Sequence, residues 1–119
     1  VTYYSYFDST INRYLIERGG LDIHSARIVG YVVSSSCQFR SPVAYPDSIS
    51  VGLRVSKLGN SSVTYELAVF RELEEEAAAH GHVVHVFVDR DRNCSVPIPE
   101  QIRDCLEEIL PAQASAAET

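Results

Sequence analysis

This sequence lacks methionine and tryptophan, and it has fewer basic than acidic side chains. Its 119 residues include no Met and no Trp, and its 10 Lys and Arg residues are outnumbered by 16 Asp and Glu residues, which gives a formal net charge of −6. A nucleic-acid-binding protein needs a basic face that displaces counterions from phosphates, so this balance argues against a nucleic-acid partner. It does not exclude a nucleotide-bearing ligand, because a few local cations can hold its phosphates.

The sequence also has few cysteines and no long apolar run. Cys37, Cys94 and Cys105 form no close-spaced pair, and an odd count without a spacing pattern indicates reduced thiols in a cytoplasmic protein. No apolar run approaches the roughly 20 residues that span a bilayer, and no signal peptide is visible, so we expect no membrane partner. Because Met is absent and the chain begins within an apolar, aromatic run, we expect the natural N-terminus to lie upstream of Val1.

The residues that are present predict one α+β domain. An apolar stripe at helical spacing predicts a first helix that ends at Gly19-Gly20; the stripe comprises Tyr3, Phe7, Ile11, Tyr14 and Leu15. Alternating residues then predict four consecutive antiparallel strands over residues 28–40, 48–58, 62–71 and 77–89. The Gly59-Asn60 pair predicts a hairpin turn, residues 99–110 predict a closing helix, and residues 111–119 predict a disordered tail. We expect the sheet to curl around the first helix.

Several segments, taken in order, resemble a known family. They are Tyr3-Tyr4-Ser5-Tyr6-Phe7-Asp8, the run from Val32-Val33-Ser34 to Ser41-Pro42, Val55-Ser56-Lys57-Leu58-Gly59-Asn60-Ser61-Ser62, His85-Val86-Phe87-Val88-Asp89 and Pro97-Ile98-Pro99. These segments resemble the central helix, second strand, following hairpin, last strand and C-terminal helix of the 4-hydroxybenzoyl-CoA thioesterase-like acyl-CoA thioesterases. The resemblance covers almost the whole chain. It implies a hotdog fold over residues 1–110, a long helix wrapped by a curled antiparallel sheet, whose N-terminal strand and loop lie ahead of Val1.

The resemblance also implies an activity and an assembly. Family members hydrolyse acyl-CoA thioesters as paired subunits, so it implies a homodimer or homotetramer that needs no cofactor. A carboxylate in a D-x-x-G-x-x-N-N loop acts as nucleophile or general base, and N–H groups at the helix N-terminus polarise the thioester carbonyl. This loop would precede Val1, so the catalytic acid is expected outside the sequence. Asp8 is the alternative, because some hotdog thioesterases use a carboxylate on the helix.

Three places in the sequence are candidates for binding substrate. Tyr3, in the first turn of the helix, is a candidate for lining the acyl pocket, and Val33 and Ser34 for the stretch where substrate passes the sheet. The turn Gly59-Asn60-Ser61-Ser62 offers backbone and hydroxyl donors to the nucleotide end of CoA. Two of them have a structural alternative, since Tyr3 also suits a packed core and the turn also suits a plain hairpin connection.

The histidines suggest a metal site, but their spacing argues against one. His82 and His85 point to opposite faces of a strand, and no carboxylate or cysteine completes a ligand set, so we expect no metal. Two rival functions stay open, which are a non-catalytic acyl-CoA-binding hotdog module and a hotdog dehydratase with an upstream histidine. An upstream carboxylate would distinguish the thioesterase from the first rival.

Overall fold

Apolar residues at helical spacing open the fold, as the sequence predicts. In the computed structural model, which describes residues 3–22, 26–39, 49–72 and 75–111, helix α1 spans Tyr3–Gly19. Its side chains Phe7, Ile11 and Leu15 are at most 1% exposed. Gly20 ends the helix with a φ of 69°, a left-handed conformation that glycine adopts without steric cost.

The sheet is antiparallel. Its strands are β1 (Ile28–Phe39), β2 (Ile49–Leu58), β3 (Ser62–Arg71), β4 (Ala79–Asp89) and the short β5 (Cys94–Ser95). The order is β1-β4-β3-β2, and β5 pairs with the last two residues of β4, beyond the point where β3 pairs with it. Strand β1 pairs with β4 instead of with β2, so only β2, β3 and β4 form a meander. The predicted strand bounds agree with the four long strands to within two residues. The prediction missed β5, because a two-residue strand shows no alternation.

Alternate residues of the sheet turn towards α1 and form the core. On β3, the side chains of Val63, Tyr65, Leu67 and Val69 are at most 2% exposed. Helix α2 (Glu100–Glu107) follows Pro99 and adds buried side chains from one face. Burying each large apolar side chain contributes roughly 1.5–3 kcal/mol. The predicted loop at 41–47 and the tail beyond residue 111 lie outside the described residues, and none of the described helices is long and apolar enough to cross a membrane.

Strand β1 departs from the alternation that the sequence predicts. The strict alternation predicted for this strand places Tyr31, Val33 and Ser35 on one face of the sheet. The pairing register instead shifts around Val33, so that Tyr31 pairs with Val86 while Ser35 pairs with Val83. Because Val83 and Val86 are three residues apart, they face opposite sides of the sheet, and so do their partners. The prediction was wrong because a β-bulge adds one residue to β1 and reverses the alternation beyond it.

Candidate active site

The N-terminal half of α1 lies directly on the sheet at Gly81. A Cβ atom at this position would meet Cε2 of Phe7 at 2.7 Å and Cα of Cys37 at 3.2 Å, and it would collide with the carbonyl oxygen of Ser36. Only glycine leaves room for this close approach of helix, β4 and β1. The first turns of α1 therefore lie beside β1, and the first turn carries no acidic side chain that would compete for its N–H groups. These N–H groups and the helix dipole suit a developing oxyanion.

Two of the predicted substrate-binding residues are exposed at the bulge in β1. Val33 is 60% exposed and Ser34 is also exposed. Bulges are frequent next to active sites, because they redirect side chains. Ser34 pairs with Val84 from one side and Thr64 pairs with it from the other, so the bulge and the start of β3 at Ser62 are about two strand spacings, on the order of 10 Å, apart. The sheet thus brings the bulge and the Gly59–Ser62 turn into neighbouring positions.

The turn between β2 and β3 is a hairpin whose carbonyl groups are engaged. The N–H of Gly59 donates to the carbonyl of Ser62 at 2.8 Å, and the N–H of Phe87 on β4 donates to the carbonyl of Ser61 at 2.8 Å. From α2, Nη2 of Arg103 donates to the carbonyl of Gly59 at 2.6 Å. Sequence reasoning missed Arg103, because its partner is 44 residues away along the chain.

The two remaining predicted site residues lie on α1. Tyr3 is the first residue of the helix, and its side chain lies outside the described part of the structure. Asp8 is exposed, more than one helical turn beyond the start. Its carboxylate is close enough to His85 to act on the pKa of that imidazole. Asp8 is therefore not held in the first turn, where the backbone donors lie.

A buried histidine on β4, His85, lies close to Asp8 of α1. The sequence analysis considered it only as a possible metal ligand. His85 is 2% exposed, and its ring packs edge-on against Tyr65 with 5.1 Å between ring centroids. Burial lowers the pKa of His85 to about 4, while Asp8 opposes this shift. Neither Nδ1 of His85 nor the hydroxyl of Tyr65 has a hydrogen-bond partner in the described residues. Gly30 packs against the imidazole, since a Cβ there would be 2.9 Å from Nδ1.

The two other histidines that the structure describes, His80 and His82, do not join His85. His80 and His82 are exposed whereas His85 is buried, which confirms that His82 and His85 face opposite sides of β4. Among the residues that the structure describes, no three His, Cys, Asp or Glu side chains are grouped to hold a metal ion. Cys37 is half-buried and burial raises its thiol pKa, so it is a poor nucleophile at neutral pH.

Two open depressions lie away from the predicted substrate-binding residues. One, of about 530 Å³, is on the outer face of the sheet around Gly52 and Ala68, and the other, of about 570 Å³, lies between α1 and β2 around Tyr6. Val33 and Ser34 line neither of them. These two residues instead lie on an open surface of the single chain.

Comparisons with known proteins fit this architecture. The Thioesterase superfamily matches residues 1–78. The PA5185 protein from Pseudomonas aeruginosa strain PAO1 has a TM-score of 0.90 at 54% identity, over 92% of this chain and 77% of that chain. BH1999 gentisyl-coenzyme A thioesterase has a TM-score of 0.75 at 23% identity, over 88% of this chain and 82% of that chain. SAV2348 from Staphylococcus aureus, solved in complex with CoA, has a TM-score of 0.81 at 16% identity, over 92% of this chain and 72% of that chain.

The last two likenesses concern the fold alone, and none of the curated proteins compared with this chain matches it. The family match covers more than half of the chain. The PA5185 protein is similar to this chain both in sequence, at 54% identity, and in the arrangement of helix and sheet. This chain therefore belongs to the Thioesterase superfamily, and its N-terminal helix and antiparallel sheet form a hotdog fold.

Proposed function

We propose that this chain is a subunit of an acyl-CoA thioesterase. Membership of the Thioesterase superfamily supports thioester hydrolysis. The names of two proteins of the same fold, a gentisyl-coenzyme A thioesterase and a protein solved with CoA, support CoA as the thiol part of the substrate. The observation that carries the proposal is the close packing of α1 on Gly81, which holds the N-terminal half of the helix against β1 at Ser36 and Cys37, a few residues along the strand from its bulge.

In the proposed reaction, water is added across the thioester bond. The carbonyl oxygen accepts hydrogen bonds from N–H groups of the first turn of α1, and these bonds strengthen as the oxygen becomes negative. Losing one such donor typically costs about 3 kcal/mol of transition-state stabilisation. The hydroxyl of water ends on the acyl carbon, and the sulfur leaves with a proton as free CoA. A carboxylate ahead of Val1 is the proposed nucleophile or general base, and Asp8 is the alternative acid.

The substrate is proposed to lie along β1 and to reach the β2–β3 turn. Tyr3, Val33 and Ser34 are proposed to contact the acyl part, and the Gly59–Ser62 turn to contact the nucleotide end. The bulge and the start of β3 are about two strand spacings apart, so one extended ligand can reach both. The exposed apolar residues beside the bulge, together with the edge position of β1, support pairing with a second subunit that covers the acyl group.

The proposal is tested by thiol release from short, medium, long and aromatic acyl-CoAs. Hydrolysis of at least one class, at a rate well above the rate without protein, is the expected result. Binding of acyl-CoA without release of CoA would instead support the non-catalytic ligand-binding alternative. Loss of water from a hydroxyacyl-CoA, with no thiol released, would support the dehydratase alternative.

A further inference from the structure

A single cation on α2 holds two consecutive carbonyl groups of the β2–β3 turn. Nη2 of Arg103 donates to the carbonyl of Gly59 at 2.6 Å and to that of Asn60 at 3.1 Å. The N–H of Ile98 donates to the same Asn60 carbonyl at 2.9 Å. Helix α2 is fixed by its buried side chains, which include Ile102 and Leu106. Arg103 therefore acts from a rigid element on a turn that lies between two strands.

The direction of these carbonyls fixes the direction of the next N–H groups. In a trans peptide unit the C=O and N–H bonds point to opposite sides. Since the Gly59 and Asn60 carbonyls both point towards Arg103, the N–H groups of Asn60 and Ser61 point to the side away from α2. Asn60 is exposed and Ser61 is half-exposed. Successive N–H groups on one side of a turn form an anion-binding concavity.

The cation also strengthens these donors. A positive charge on a carbonyl oxygen polarises the amide, which makes the N–H at its other end a better donor to an anion. This matters on a chain with a net charge of −6, and α2 itself carries Glu100 and Asp104 next to Arg103. A phosphate at the turn would meet two oriented backbone donors backed by one fixed cation.

Building on the proposed function, we propose that Arg103 is a positioning residue for a phosphate group of CoA. It holds the Gly59–Ser62 turn so that the N–H groups of Asn60 and Ser61 bind the phosphate, and it does not touch the reacting thioester. It therefore acts on the binding of CoA-linked substrates and not on the chemical step.

The first test compares two substrates that share an acyl group. One is the acyl-CoA, and the other is the acyl-N-acetylcysteamine thioester, which has no phosphate. Arg103→Gln is expected to raise the KM for acyl-CoA about tenfold, the scale of one weakened charge-assisted contact. Its kcat, and its kcat/KM for the phosphate-free thioester, should stay within about twofold of wild type. Arg103→Lys should restore part of the KM, since an ammonium group is a point-charge donor.

A matched control and a second pair of variants separate positioning from folding. Arg13→Gln removes the same charge from an exposed site on α1 and should leave both substrates unchanged. Asn60→Ala keeps the backbone N–H, whereas Asn60→Pro removes it. Asn60 is not among the described residues with positive φ, the backbone conformation that a proline ring excludes. Asn60→Pro should raise the KM for acyl-CoA more than Asn60→Ala, at a similar Tm.

The outcomes distinguish this inference from the proposed function. If wild type hydrolyses both thioesters and Arg103→Gln lowers kcat/KM for both equally, or leaves the KM for acyl-CoA unchanged, the role of Arg103 is overturned. If wild type hydrolyses neither, the proposed function fails. Arg103 is then tested by calorimetry with CoA and with pantetheine, where a loss of CoA affinity alone in Arg103→Gln supports its role and an unchanged affinity overturns it.

Discussion

At the scale of single residues, His85 stands out as a buried imidazole whose Nδ1 has no hydrogen-bond partner among the described residues. It lies between Gly30 of β1, Tyr65 of β3 and the side of α1 that carries Asp8. An unpaired polar atom in a core costs roughly 1–3 kcal/mol. This buried site favours the neutral imidazole over the imidazolium, because burial penalises the charged form. The core thus contains a group whose protonation opposes folding.

This burial predicts a loss of stability in mild acid. His85 has an ordinary pKa of 6.5 and a folded-state pKa of about 4, so the unfolded chain binds the proton first as the pH falls. The His85 contribution is complete above pH 6.5 and is lost between 6.5 and 4, by about 3 kcal/mol. Urea unfolding across this range measures it. In His85→Phe the free energy of unfolding should be nearly flat over the same range, and an equally steep slope would contradict the assignment.

Asp89 provides a check, because its contribution to stability is lost in a different pH range. Hydrogen bonding to Arg27 holds the pKa of Asp89 below its ordinary 3.8. The stability that Asp89 contributes is therefore present above pH 3.8 and is lost only as the pH falls through the lowered pKa. Removal of His85 should leave this second loss in place.

At the scale of elements, the contact between α1, β4 and β1 depends on one glycine. Gly81→Ala is expected to lower the free energy of unfolding by about 3 kcal/mol or more, because the new methyl group meets Phe7 and the backbone of Ser36. Gly52→Ala is the matched control. Its Cβ would lie 3.7 Å from Cε2 of Phe70, which is ordinary contact, so stability should change by less than about 1 kcal/mol. Equal effects of the two substitutions in urea unfolding would contradict the packing described for α1.

The elements also show what a sequence can and cannot predict. Helix α1 and strands β2 to β4 were predicted because their signals are local, such as the stripe through Phe7 and Ile11 or the alternation through Tyr65 and Leu67. The bulge at Val33 was not, because an added residue is defined only against a partner strand. The Gly59-Asn60 turn was predicted from its own residues, but its contact with Arg103 is long-range, and periodicity does not report such contacts.

At the scale of the whole molecule, the edge strand β1 exposes an apolar surface. Tyr31, Val32 and Val33 are 49%, 51% and 60% exposed. We expect the protein to form a dimer or tetramer in light scattering, with this edge inside the interface. Val33→Asp should reduce the measured mass at micromolar concentration, whereas Ile16→Asp, at a 43% exposed position on α1, should not. A strictly monomeric wild-type protein would contradict a site that a second subunit completes.

The candidate site could be predicted from the sequence only in part. The resemblance predicted that the helix terminus, the β1 stretch and the β2–β3 turn belong to the site. The sheet register brings the last two within about two strand spacings of each other. The roles of Tyr3, Val33, Ser34 and the turn residues stay predictions. His85 could be recognised as inward-facing from alternation, but whether its Nδ1 has a partner among the described residues depends on three other elements.

The most direct test of the central claim is thiol release by the complete protein and by a variant of its upstream acid. We predict a carboxylate within roughly ten residues before Val1, the reach of a short loop that leads into α1. Replacing it by Ala or Asn should lower kcat on acyl-CoA by at least about 100-fold, with a smaller change in KM. Asp8→Asn, measured beside it, should lose far less. No Asp or Glu in that loop together with no turnover of any acyl-CoA, or a larger loss at Asp8 than at the upstream acid, would contradict the account.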